Sequence, residues 1–502
     1  MPLVIYNTLS REKETFKPLR QEEVKVYYCG PTPYNYAHIG NLRAYLFEDF
    51  VIRTLKFLWY KAKTVMNITD IDDKTIRDSQ KNGKELKAFT EYYTEAFLDD
   101  LTKLNIKHAD TIAPISTLIT DMGKIIQWLL DKGFAYLADD GSIYYRVEKF
   151  KKYGKLAHLD MSGMISNVRV NNDEYEKDQV ADFALWKAYS SEHDGPNSWT
   201  IEVIIENEKK TIIGRPGWHI ECSACNYRFF WEQIDIHMGW IDNLFPHHQN
   251  EVAQTEAFTG KQFSKYWMHW GHLLVDNKKM AKSAGNFYTL REIIEKENNF
   301  SETLVCRGFR LMALQNQYRE NFNFTFDRLH AAINTIKWLD EMIKRLGRYK
   351  SQFTPTEEIR NNHGKLKFHE ISREFRDNQQ YFMQDFIEKV EDDFDTNCAM
   401  TSVFEYQTYI NSWIDEQSFS LEESKSIIDL LRSWNEIIAI IDFDLLEILQ
   451  EVPKEIEALW VARTEAKIQK NWAEADAIRE ELTKLGWKMI DEADGKWRVE
   501  KI

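Results

Sequence analysis

The sequence predicts a multidomain α/β protein: a parallel-sheet, Rossmann-like domain with an inserted connective domain, then a helical bundle and a small mixed α/β C-terminal domain. Three patterns predict the start of the sheet. Residues 24–28 alternate apolar and polar side chains at the period of a strand, residues 42–50 repeat at helical spacing, and residues 64–68 form a second apolar run. Together they predict a βαβ unit. Beyond residue 320 the pattern becomes almost entirely helical.

The composition indicates a folded protein of several domains. At 502 residues the chain exceeds what one hydrophobic core supports, and 43% of its residues are hydrophobic. The sequence shows no signal peptide, and no apolar run reaches the ~18 residues of a membrane span. Five scattered cysteines do not form a disulfide framework, so we expect a reducing, cytoplasmic compartment. The net charge of −15 does not exclude nucleic acid, because binding requires only a local positive surface.

A breaker-rich turn joins the first strand of the βαβ unit to its helix, and we predict that it binds a nucleotide. Gly30 and two prolines end the strand, and the helix begins near His38, Gly40 and Asn41. A phosphate there would meet the free backbone N–H groups of a helix N-terminus. The glycines match neither G-x-G-x-x-G nor G-x-x-x-x-G-K-[ST], so neither of those phosphate motifs applies.

Three aspartates follow the second strand, at positions Asp70, Asp72 and Asp73. Carboxylates at this spacing are typical of a magnesium site. They are also typical of the cap and first turn of a helix, where the helix dipole favours acids. We prefer the capping interpretation and expect Mg²⁺ to arrive with the nucleotide phosphates.

Two later segments have patterns of their own. In the segment that we interpret as an insertion, we predict strands over residues 142–147, 200–205 and 210–213. Near the carboxyl end, a capping box at residues 471–474 opens a helix that Gly486 stops, and a short strand pair follows.

Cysteines and histidines between residues 214 and 251 indicate a metal site. Cys222 and Cys225 have C-x-x-C spacing, and with His247 and His248 they would make a Cys₂His₂ structural zinc knuckle.

A second interpretation uses the helix expected after Pro246. His247 and Glu251 then lie one turn apart on the same face. Cys222 and Cys29 complete this set, because Cys29 ends the central strand, where such sheets place their ligands. The residues alone leave both interpretations open.

Two short motifs resemble the signature elements of class I aminoacyl-tRNA synthetases. His38-Ile39-Gly40-Asn41 resembles their H-I-G-H element, with Asn in the last place. Residues 278–286 resemble their K-M-S-K-S loop, with Ala281 in place of the first Ser. Each motif is short, but their order and separation make the pair specific.

Three further stretches resemble the cysteinyl-tRNA synthetase family in particular: residues 29–32, 214–222 and 245–251. The resemblance extends over nearly the whole chain. It implies one zinc ion per chain, which takes the thiolate of the substrate as a further ligand. The implied protein ligands are Cys29, Cys222, His247 and Glu251. Cys225 stays outside that set.

The resemblance also implies roles for individual residues. The catalytic residues would be His38, Asn41, Lys279 and Lys282. The nucleotide-binding residues would be Gly30, Thr32, His38, Gly40, Asn41, Lys279, Met280, Lys282 and Ser283. The amino-acid pocket would be lined by Thr69, Trp218, His237 and Asp242.

The implied activity is the ATP-dependent ligation of cysteine to its tRNA through a cysteinyl-adenylate, with zinc selecting the amino acid. The implied partners are tRNA(Cys), ATP with Mg²⁺, and L-cysteine; we expect no membrane association and a monomer. The insertion is small for an editing domain. Selection by a metal makes editing unnecessary, because a site that demands one polar contact rejects analogues lacking it.

We expect five parts along the chain. They are a Rossmann-like catalytic domain of residues 1–116 and 212–271, a connective insertion of 117–211, a lysine-loop and tRNA-stem region of 272–328, a helical tRNA- and anticodon-binding domain of 329–450, and a small C-terminal anticodon-recognition domain of 451–502.

Other functions remain open at the level of sequence. A cysteine ligase of the mycothiol-pathway type resembles this family and acts on an amino sugar, but it lacks a full anticodon-binding end such as residues 451–502. A non-catalytic paralogue that binds tRNA would not need His38, Lys279 and Lys282, although Ala281 fits it. A purely structural zinc protein leaves the nucleotide turn unexplained.

Overall fold

The structure is a computed structural model of the chain. It describes residues 2–160, 169–170, 181–231, 233–280, 285–352, 372–416, 421–446, 453–491 and 497–501. The chain divides into two compact units, Met1–Leu339 with His369–Ile441, and Asp340–Phe368 with Asp442–Ile502.

The first unit opens with a hairpin and the first half of a central sheet. In chain order these elements are β1 (Val4–Asn7), β2 (Glu12–Thr15), β3 (Val24–Tyr28), α1 (Ile39–Phe57), β4 (Ala62–Ile68), α2 (Asp73–Lys81), α3 (Leu86–Lys103) and β5 (Thr111–Pro114). The predicted βαβ unit is confirmed as β3, α1 and β4. The hairpin of β1 and β2 is not predicted from the sequence, because strands of four residues are too short for a clear period.

A second sheet is inserted after β5. Its elements are α4 (Ile119–Asp131), β6 (Ala135–Leu137), β7 (Ile143–Tyr145), β8 (Arg169–Val170), β9 (Asp182–Ala188), β10 (Trp199–Ile205) and β11 (Glu208–Pro216). Within the described residues the strands follow the order β10-β11-β9-β7-β6, and β8 pairs with β9. The three strands predicted in this segment are confirmed as β7, β10 and β11.

The chain then returns to the central sheet through α5 (Trp218–Phe230), β12 (Ile234–Trp240), α6 (His247–Thr259) and β13 (Ser264–Trp270). The described strands run in the order β13-β12-β3-β4-β5, and each neighbouring pair is parallel. The order therefore reverses between β3 and β12. Sheets of this kind bind ligands at the carboxyl ends of their strands beside such a reversal.

One hydrophobic core joins the two sheets. Tyr27 of β3, Trp267 of β13 and Trp186 of β9 belong to the same buried cluster, and each is at most 1% exposed. Burying an apolar side chain of this size contributes about 1.5–3 kcal/mol. The cluster thus fixes the carboxyl end of β3 against both layers.

Short strands and long helices complete the first unit and lead into the second. They are β14 (Leu273–Val275), β15 (Lys278–Lys279), α7 (Leu290–Lys296), α8 (Glu302–Leu314), β16 (Phe322–Phe324), α9 (Phe326–Gln352), α10 (Arg373–Glu391), α11 (Thr396–Glu416) and α12 (Leu421–Ile438). Asp49 of α1 accepts hydrogen bonds from Arg53 and from Arg310 of α8. Arg310 also donates to the carbonyl oxygen of Ile438. This buried ion cluster joins α1, α8 and α12.

The second unit ends with α13 (Lys454–Ile468), α14 (Trp472–Lys484), β17 (Trp487–Asp491) and β18 (Trp497–Lys501). The predicted cap is confirmed, since the Asn471 side chain accepts the backbone N–H of Glu474. Gly486, with φ of +78°, follows the helix as predicted. β17 and β18 form the expected antiparallel pair.

The cysteines and the helices can be compared with the expectations from composition. The five cysteines all lie within the described residues and are free thiols. In the described ranges, no helix is long and apolar enough to cross a membrane.

Candidate functional site

Four side chains with metal-binding atoms meet at the carboxyl end of β3. Cys29 follows β3, Cys222 lies in α5, and His247 and Glu251 lie one turn apart in α6. One ligand atom from each lies within 4.8 Å of all the others. The Nε2 of His247 is 3.3 Å from the Sγ of Cys222, and the two sulfurs are 3.8 Å apart. Cys29 is the partly exposed member of this group, and the other three are buried.

The charges in this group balance one another. Burial raises the pKa of Cys222, but the hydrogen bond from Cys29 and the charge of His247 outweigh it and bring this pKa to about 6. Burial also raises the pKa of Glu251, yet His237 and His247 lower it to about 2. Burial lowers the pKa of His247, whereas Cys222 and Glu251 raise it to about 10. Two anionic groups therefore surround a proton, and a metal cation could take the place of that proton.

The donor set suits zinc. Zinc prefers thiolate, imidazole and carboxylate ligands, which this group supplies. Among the described residues the Oε1 of Glu251 makes no hydrogen bond of good geometry, although it is 3.0 Å from the Nε2 of His247. A buried oxygen of this kind requires a partner. The Nδ1 of His247 is 3.0 Å from the Nδ1 of His219, and this contact turns the Nε2 of His247 toward the group.

A second group of four shares two of these residues. Its members are Cys29, His237, His248 and Glu251. The Nε2 of His237 is 2.9 Å from the Oε2 of Glu251, and the Nδ1 of His248 is 2.8 Å from the Nε2 of His269. Burial, with the neighbouring histidines, lowers the pKa of His248 well below its usual value. The first group offers two sulfurs and the second only one, so a metal that favours soft ligands fits the first group better. Within the described residues Cys225 belongs to neither group.

His38 caps α1 at the same end of β3. Its Nδ1 accepts the backbone N–H of Asn41 at 3.2 Å, and its own backbone N–H donates to the Oδ1 of Asn41 at 3.3 Å. Because the Nδ1 is an acceptor, the neutral ring carries its proton on Nε2. His38 therefore supplies a side-chain donor at a helix N-terminus, where the helix dipole favours an anion.

Two glycines let backbone and side chains approach closely at this site. A Cβ on Gly30 would lie 1.6 Å from the carbonyl oxygen of Asn67, and the N–H of Gly30 donates to the Oδ1 of Asn67. A Cβ on Gly40 would lie 2.8 Å from the Nδ1 of His38 and 2.9 Å from the Cε of Met280. Residues of both nucleotide motifs therefore meet at the N-terminus of α1.

The segment that follows the lysine loop is bonded to the same helix N-terminus. The N–H of Ile39 donates to the carbonyl oxygen of Tyr288 at 2.9 Å, and His38 forms an isolated β-bridge with Thr289. The ring of Phe287 packs edge-on against His38, with 5.1 Å between the ring centroids. The two motifs are thus joined by backbone as well as by side chains.

The structure describes the lysine loop up to Met280 and again from Gly285 onward. Lys279 lies exposed in β15, and its carbonyl oxygen accepts a hydrogen bond from the side chain of Asn286. Lys282 and Ser283, together with Ala281, lie outside the described residues.

The residues predicted for the amino-acid pocket differ in their burial and in their contacts with the metal-binding group. The ring of Trp218 stacks on His247 at 4.1 Å, and His237 is fully buried against Glu251. Thr69 accepts a hydrogen bond from the amide of Asn67, whose Oδ1 is 4.0 Å from the Sγ of Cys222. Asp242 is exposed and lies 3.5 Å from the Nδ1 of His272. Thr32 is partly exposed and accepts the N–H of Tyr34 through its carbonyl oxygen.

Asn67, His219 and His269 contact this site, and the sequence did not indicate a role for them. A signal was present for two of them. Asn67 is a polar residue inside the apolar run 64–68, and His269 interrupts the aromatic run 266–270. Both residues lie in buried strands. The Oδ1 of Asn67 accepts a hydrogen bond from the hydroxyl of Tyr27, and the Nδ1 of His269 is 2.8 Å from the Oγ1 of Thr8.

The aspartates after β4 bond to the protein itself. Asp72 caps α2 by accepting the N–H of Lys74 at 2.7 Å, so the capping interpretation is confirmed for this residue. Asp70 accepts the N–H of Ser116 at 2.9 Å. Asp73 lies 3.2 Å from the Nζ of Lys187.

The fold and the paired motifs match those of class I synthetases. The family described as "tRNA synthetases class I (C) catalytic domain" matches residues 15–334. Among solved structures, Mycobacterium tuberculosis methionyl-tRNA synthetase in complex with methionyl-adenylate gives a TM-score of 0.53 at 14% identity, covering 90% of this chain and 96% of that one. Agrobacterium radiobacter LeuRS in a ternary complex with tRNA and LeuAMS gives a TM-score of 0.59 at 11% identity, covering 87% and 86%. These likenesses confirm the multidomain α/β fold.

Relatives with higher sequence identity identify the family within the class I synthetases. The family described as "Cysteinyl-tRNA ligase anticodon binding domain" matches residues 449–495. The chain is 39% identical to a cysteine–tRNA ligase of Chlamydia muridarum, covering 100% of both chains. It is 38% identical to one of Protochlamydia amoebophila, covering 99% of this chain and 97% of that protein. The chain belongs to the cysteine–tRNA ligase family.

Proposed function

We propose that this chain activates cysteine with ATP at the carboxyl end of β3 and selects the amino acid with a zinc ion held by Cys29, Cys222, His247 and Glu251. As a member of its family, the chain is a class I aminoacyl-tRNA ligase that joins cysteine to tRNA. The observation that carries the proposal is the meeting of these four donors within 4.8 Å of one another, at the strand end that also leads to the α1 N-terminus.

The side chains around the four donors hold them in place. A bound zinc ion supplies a cation that prefers a thiolate to a hydroxyl, which separates cysteine from serine. His219 fixes the ring of His247, and His237 holds one oxygen of Glu251. Since Cys29 is the partly exposed member of the group, the amino acid would approach from its side.

The N-terminus of α1 would receive the phosphates of ATP. The carboxylate of cysteine attacks the α-phosphorus in line, pyrophosphate leaves, and the enzyme contributes positioning and charge stabilisation. The Nε2–H of His38 would donate to a phosphate oxygen as charge develops there. Gly40 keeps the space beside this ring open. Mg²⁺ bound to the phosphates adds positive charge.

Asn41 and the lysines have different parts in this step. The Oδ1 of Asn41 is bonded to the backbone of His38, so Asn41 would act mainly by holding the His38 turn. Lys279 and Lys282 would bring positive charge to the β- and γ-phosphates. In a second step the cysteinyl group would pass to the 2′-hydroxyl of the terminal adenosine of tRNA(Cys), while residues 451–502 read the anticodon.

The first test is exchange of pyrophosphate into ATP with cysteine or serine, on protein whose zinc content is measured before and after chelation. We expect exchange with cysteine alone, and its loss with the metal. The Cys222→Ser variant should lose both its bound zinc and the cysteine-dependent exchange of pyrophosphate. Cys225→Ser is the matched control, because this thiol lies in the same helix but outside the group.

The proposal would be overturned by exchange that does not depend on zinc, or by equal zinc loss in both cysteine variants. Folded, zinc-loaded protein without exchange would indicate a non-catalytic tRNA-binding protein. Charging of tRNA, compared with transfer of cysteine to an amino sugar, separates the ligase from the mycothiol-type enzyme.

A further inference from the structure

Two tryptophans project from the amino-terminal edge of the central sheet. Trp59 is 93% exposed and Trp231 is 67% exposed. Tryptophan side chains are on average highly buried, because their large apolar surface is costly in water. Exposure of two of them on one edge therefore requires an explanation.

Both tryptophans also occupy a left-handed backbone conformation. Trp59 follows α1 with φ of 66°, and Trp231 follows α5 with φ of 68°. Glycine or asparagine is usual where a helix ends in this way, since a bulky side chain there is strained. If stability alone determined the residue type, we would expect glycine at both positions. Strained, exposed residues of this kind are typical of functional surfaces.

Lysines and an aromatic ring connect the two tryptophans. Trp59 precedes β4 and Trp231 precedes β12, the two strands that flank β3. Lys25 of β3 lies opposite Lys63 of β4 in the parallel register. The Nζ atoms of Lys25 and Lys63 are each 5.9 Å from the centroid of the Phe230 ring, which adjoins Trp231. The ring of Phe230 is itself buried. We call the surface around it the tryptophan edge; it consists of Trp59, Lys61, Lys63, Lys25 and Trp231.

A cavity of about 180 Å³ opens beside Trp231 and adds further charge. Its lining includes the cations Arg20, Lys25 and Lys261 and the carboxylates Glu23 and Asp235. The two oxygens of Asp235 accept the backbone N–H groups of Leu19 and Lys25, so this carboxylate is already engaged. The cations predominate in this cavity, although the whole chain carries a net charge of −15.

We propose that the tryptophan edge binds a single-stranded segment of RNA. Bases would stack on Trp59 and Trp231, and the phosphates between them would pair with the exposed Lys61 and Lys63. The Nζ of Lys25 already donates to the carbonyl oxygen of Phe230 at 2.8 Å, so Lys25 would add positive charge beside them. This combination of exposed aromatic faces and a cationic track is what single-stranded nucleic acid requires. An acidic peptide would use the lysines but leave both indole faces without a purpose. The surface lies at the opposite ends of the strands from the metal and nucleotide residues, so it is separate from the site of cysteine activation.

The test uses the full chain and a fluorescein-labelled oligouridylate of about twelve nucleotides, followed by fluorescence anisotropy over a range of salt concentrations. The Trp59→Ala/Trp231→Ala double variant should bind at least about tenfold more weakly than the wild type. Tyr189→Ala is the matched control, because Tyr189 is an aromatic residue that is 42% exposed but follows β9 in the inserted sheet, and it should bind as the wild type does.

Charge and stacking can be separated with further variants. Lys61→Glu/Lys63→Glu should weaken binding and reduce the slope of log affinity against log salt by about 0.7 for each lysine. Phe at both tryptophan positions should restore most of the affinity, because a phenyl ring also stacks. Unfolding temperature and pyrophosphate exchange should stay unchanged in all these variants, so a failure here does not affect the proposed activation of cysteine.

The proposal would be overturned if Tyr189→Ala lost as much affinity as the double variant, or if the double variant lost none. Tighter binding of a fluorescein-labelled polyglutamate peptide than of the oligouridylate, dependent on both tryptophans, would also overturn it, because the surface would then be a site for an acidic protein segment.

Discussion

At the scale of single residues, the two ring nitrogens of His38 have different roles. The Nδ1 accepts a backbone N–H and so fixes the turn, which leaves the Nε2–H as a donor. The tautomer is therefore set by the local backbone and requires no neighbouring carboxylate. A sequence motif of four residues thus contains both the cap of α1 and the donor that we propose for a phosphate oxygen.

His38→Ala should lower the rate of cysteine-dependent pyrophosphate exchange about 10²- to 10³-fold, as removal of one preorganised donor typically does. The unfolding temperature should fall only slightly, because a single cap is lost. His108→Ala serves as control, since that exposed ring lies in the loop after α3 and contacts Thr102 and the carbonyl oxygen of Leu98. Exchange that survives in His38→Ala, or falls equally in the control, would contradict the role given to the Nε2–H.

Gly30→Ala should prevent stable folding of the first unit or abolish zinc retention. Its Cβ would lie 1.6 Å from the carbonyl oxygen of Asn67, and that oxygen belongs to the backbone of β4 in the central sheet. The control is Gly123→Ala in α4, whose nearest contact would be 3.4 Å from Ile201. That change should raise the free energy of unfolding by about 0.5–1 kcal/mol, because alanine favours a helix interior. Thermal unfolding with zinc analysis measures both; a stable, zinc-loaded Gly30→Ala would refute the close approach.

At the scale of elements, the buried ion cluster decides how α1, α8 and α12 pack. Asp49 is fully buried and holds Arg53 and Arg310, which is 1% exposed. Neither arginine could reach water if the carboxylate were removed. The two buried guanidinium groups therefore depend on this carboxylate as their shared partner.

Asp49→Ala should lower the free energy of unfolding by about 3–5 kcal/mol, the usual effect of leaving one partner of a buried ion pair alone. Asp392→Ala removes an exposed ion pair with Lys13 and should change the free energy of unfolding by less than about 1 kcal/mol. Denaturant unfolding followed by circular dichroism compares the two variants. Similar losses in both would mean that burial of the cluster contributes little.

Elements with a clear period were predictable, and close contacts between distant residues were not. β3, α1 and β4 follow from the spacing of apolar residues, and the position of Glu251 one turn after His247 follows from the helix after Pro246. The contacts of His269 with His248 and Thr8 depend on how β13 packs against α6 and β1, which no local pattern encodes. The sequence left open whether Cys222 is grouped with Cys225 or with Cys29. That question likewise depends on the path of β3, which brings Cys29 next to Cys222.

At the scale of the whole molecule, buried histidines affect how stability depends on pH. His219, His248 and His269 are each at most 5% exposed, and burial, with nearby histidines, lowers the pKa of each. For His269 the pKa falls to about 3, whereas an unfolded histidine has a pKa of about 6.5. The unfolded chain therefore binds more protons between these values, so stability is lost as pH falls below about 6.5.

His269→Gln should reduce this loss by up to about 1.4 kcal/mol for each pH unit between about pH 6 and 4. Glutamine retains a polar group that can bond to Thr8 or His248 but does not take up a proton. Denaturant unfolding curves at a series of pH values measure the difference. Parallel pH profiles for the wild type and the variant would show that His269 takes up its proton equally in both states.

The order of the central sheet has a consequence during protein synthesis. β3 pairs on one side with β4, which follows it closely, but on the other side with β12, which begins only at Ile234. At typical rates of translation, roughly 10–40 s separate the appearance of these two strands. Through that interval the nascent chain has an unpaired strand edge, which can join another chain. The thiol of Cys29 stands at the end of the same strand, so through this interval it lacks Cys222 of α5, the sulfur that lies 3.8 Å from it in the folded chain.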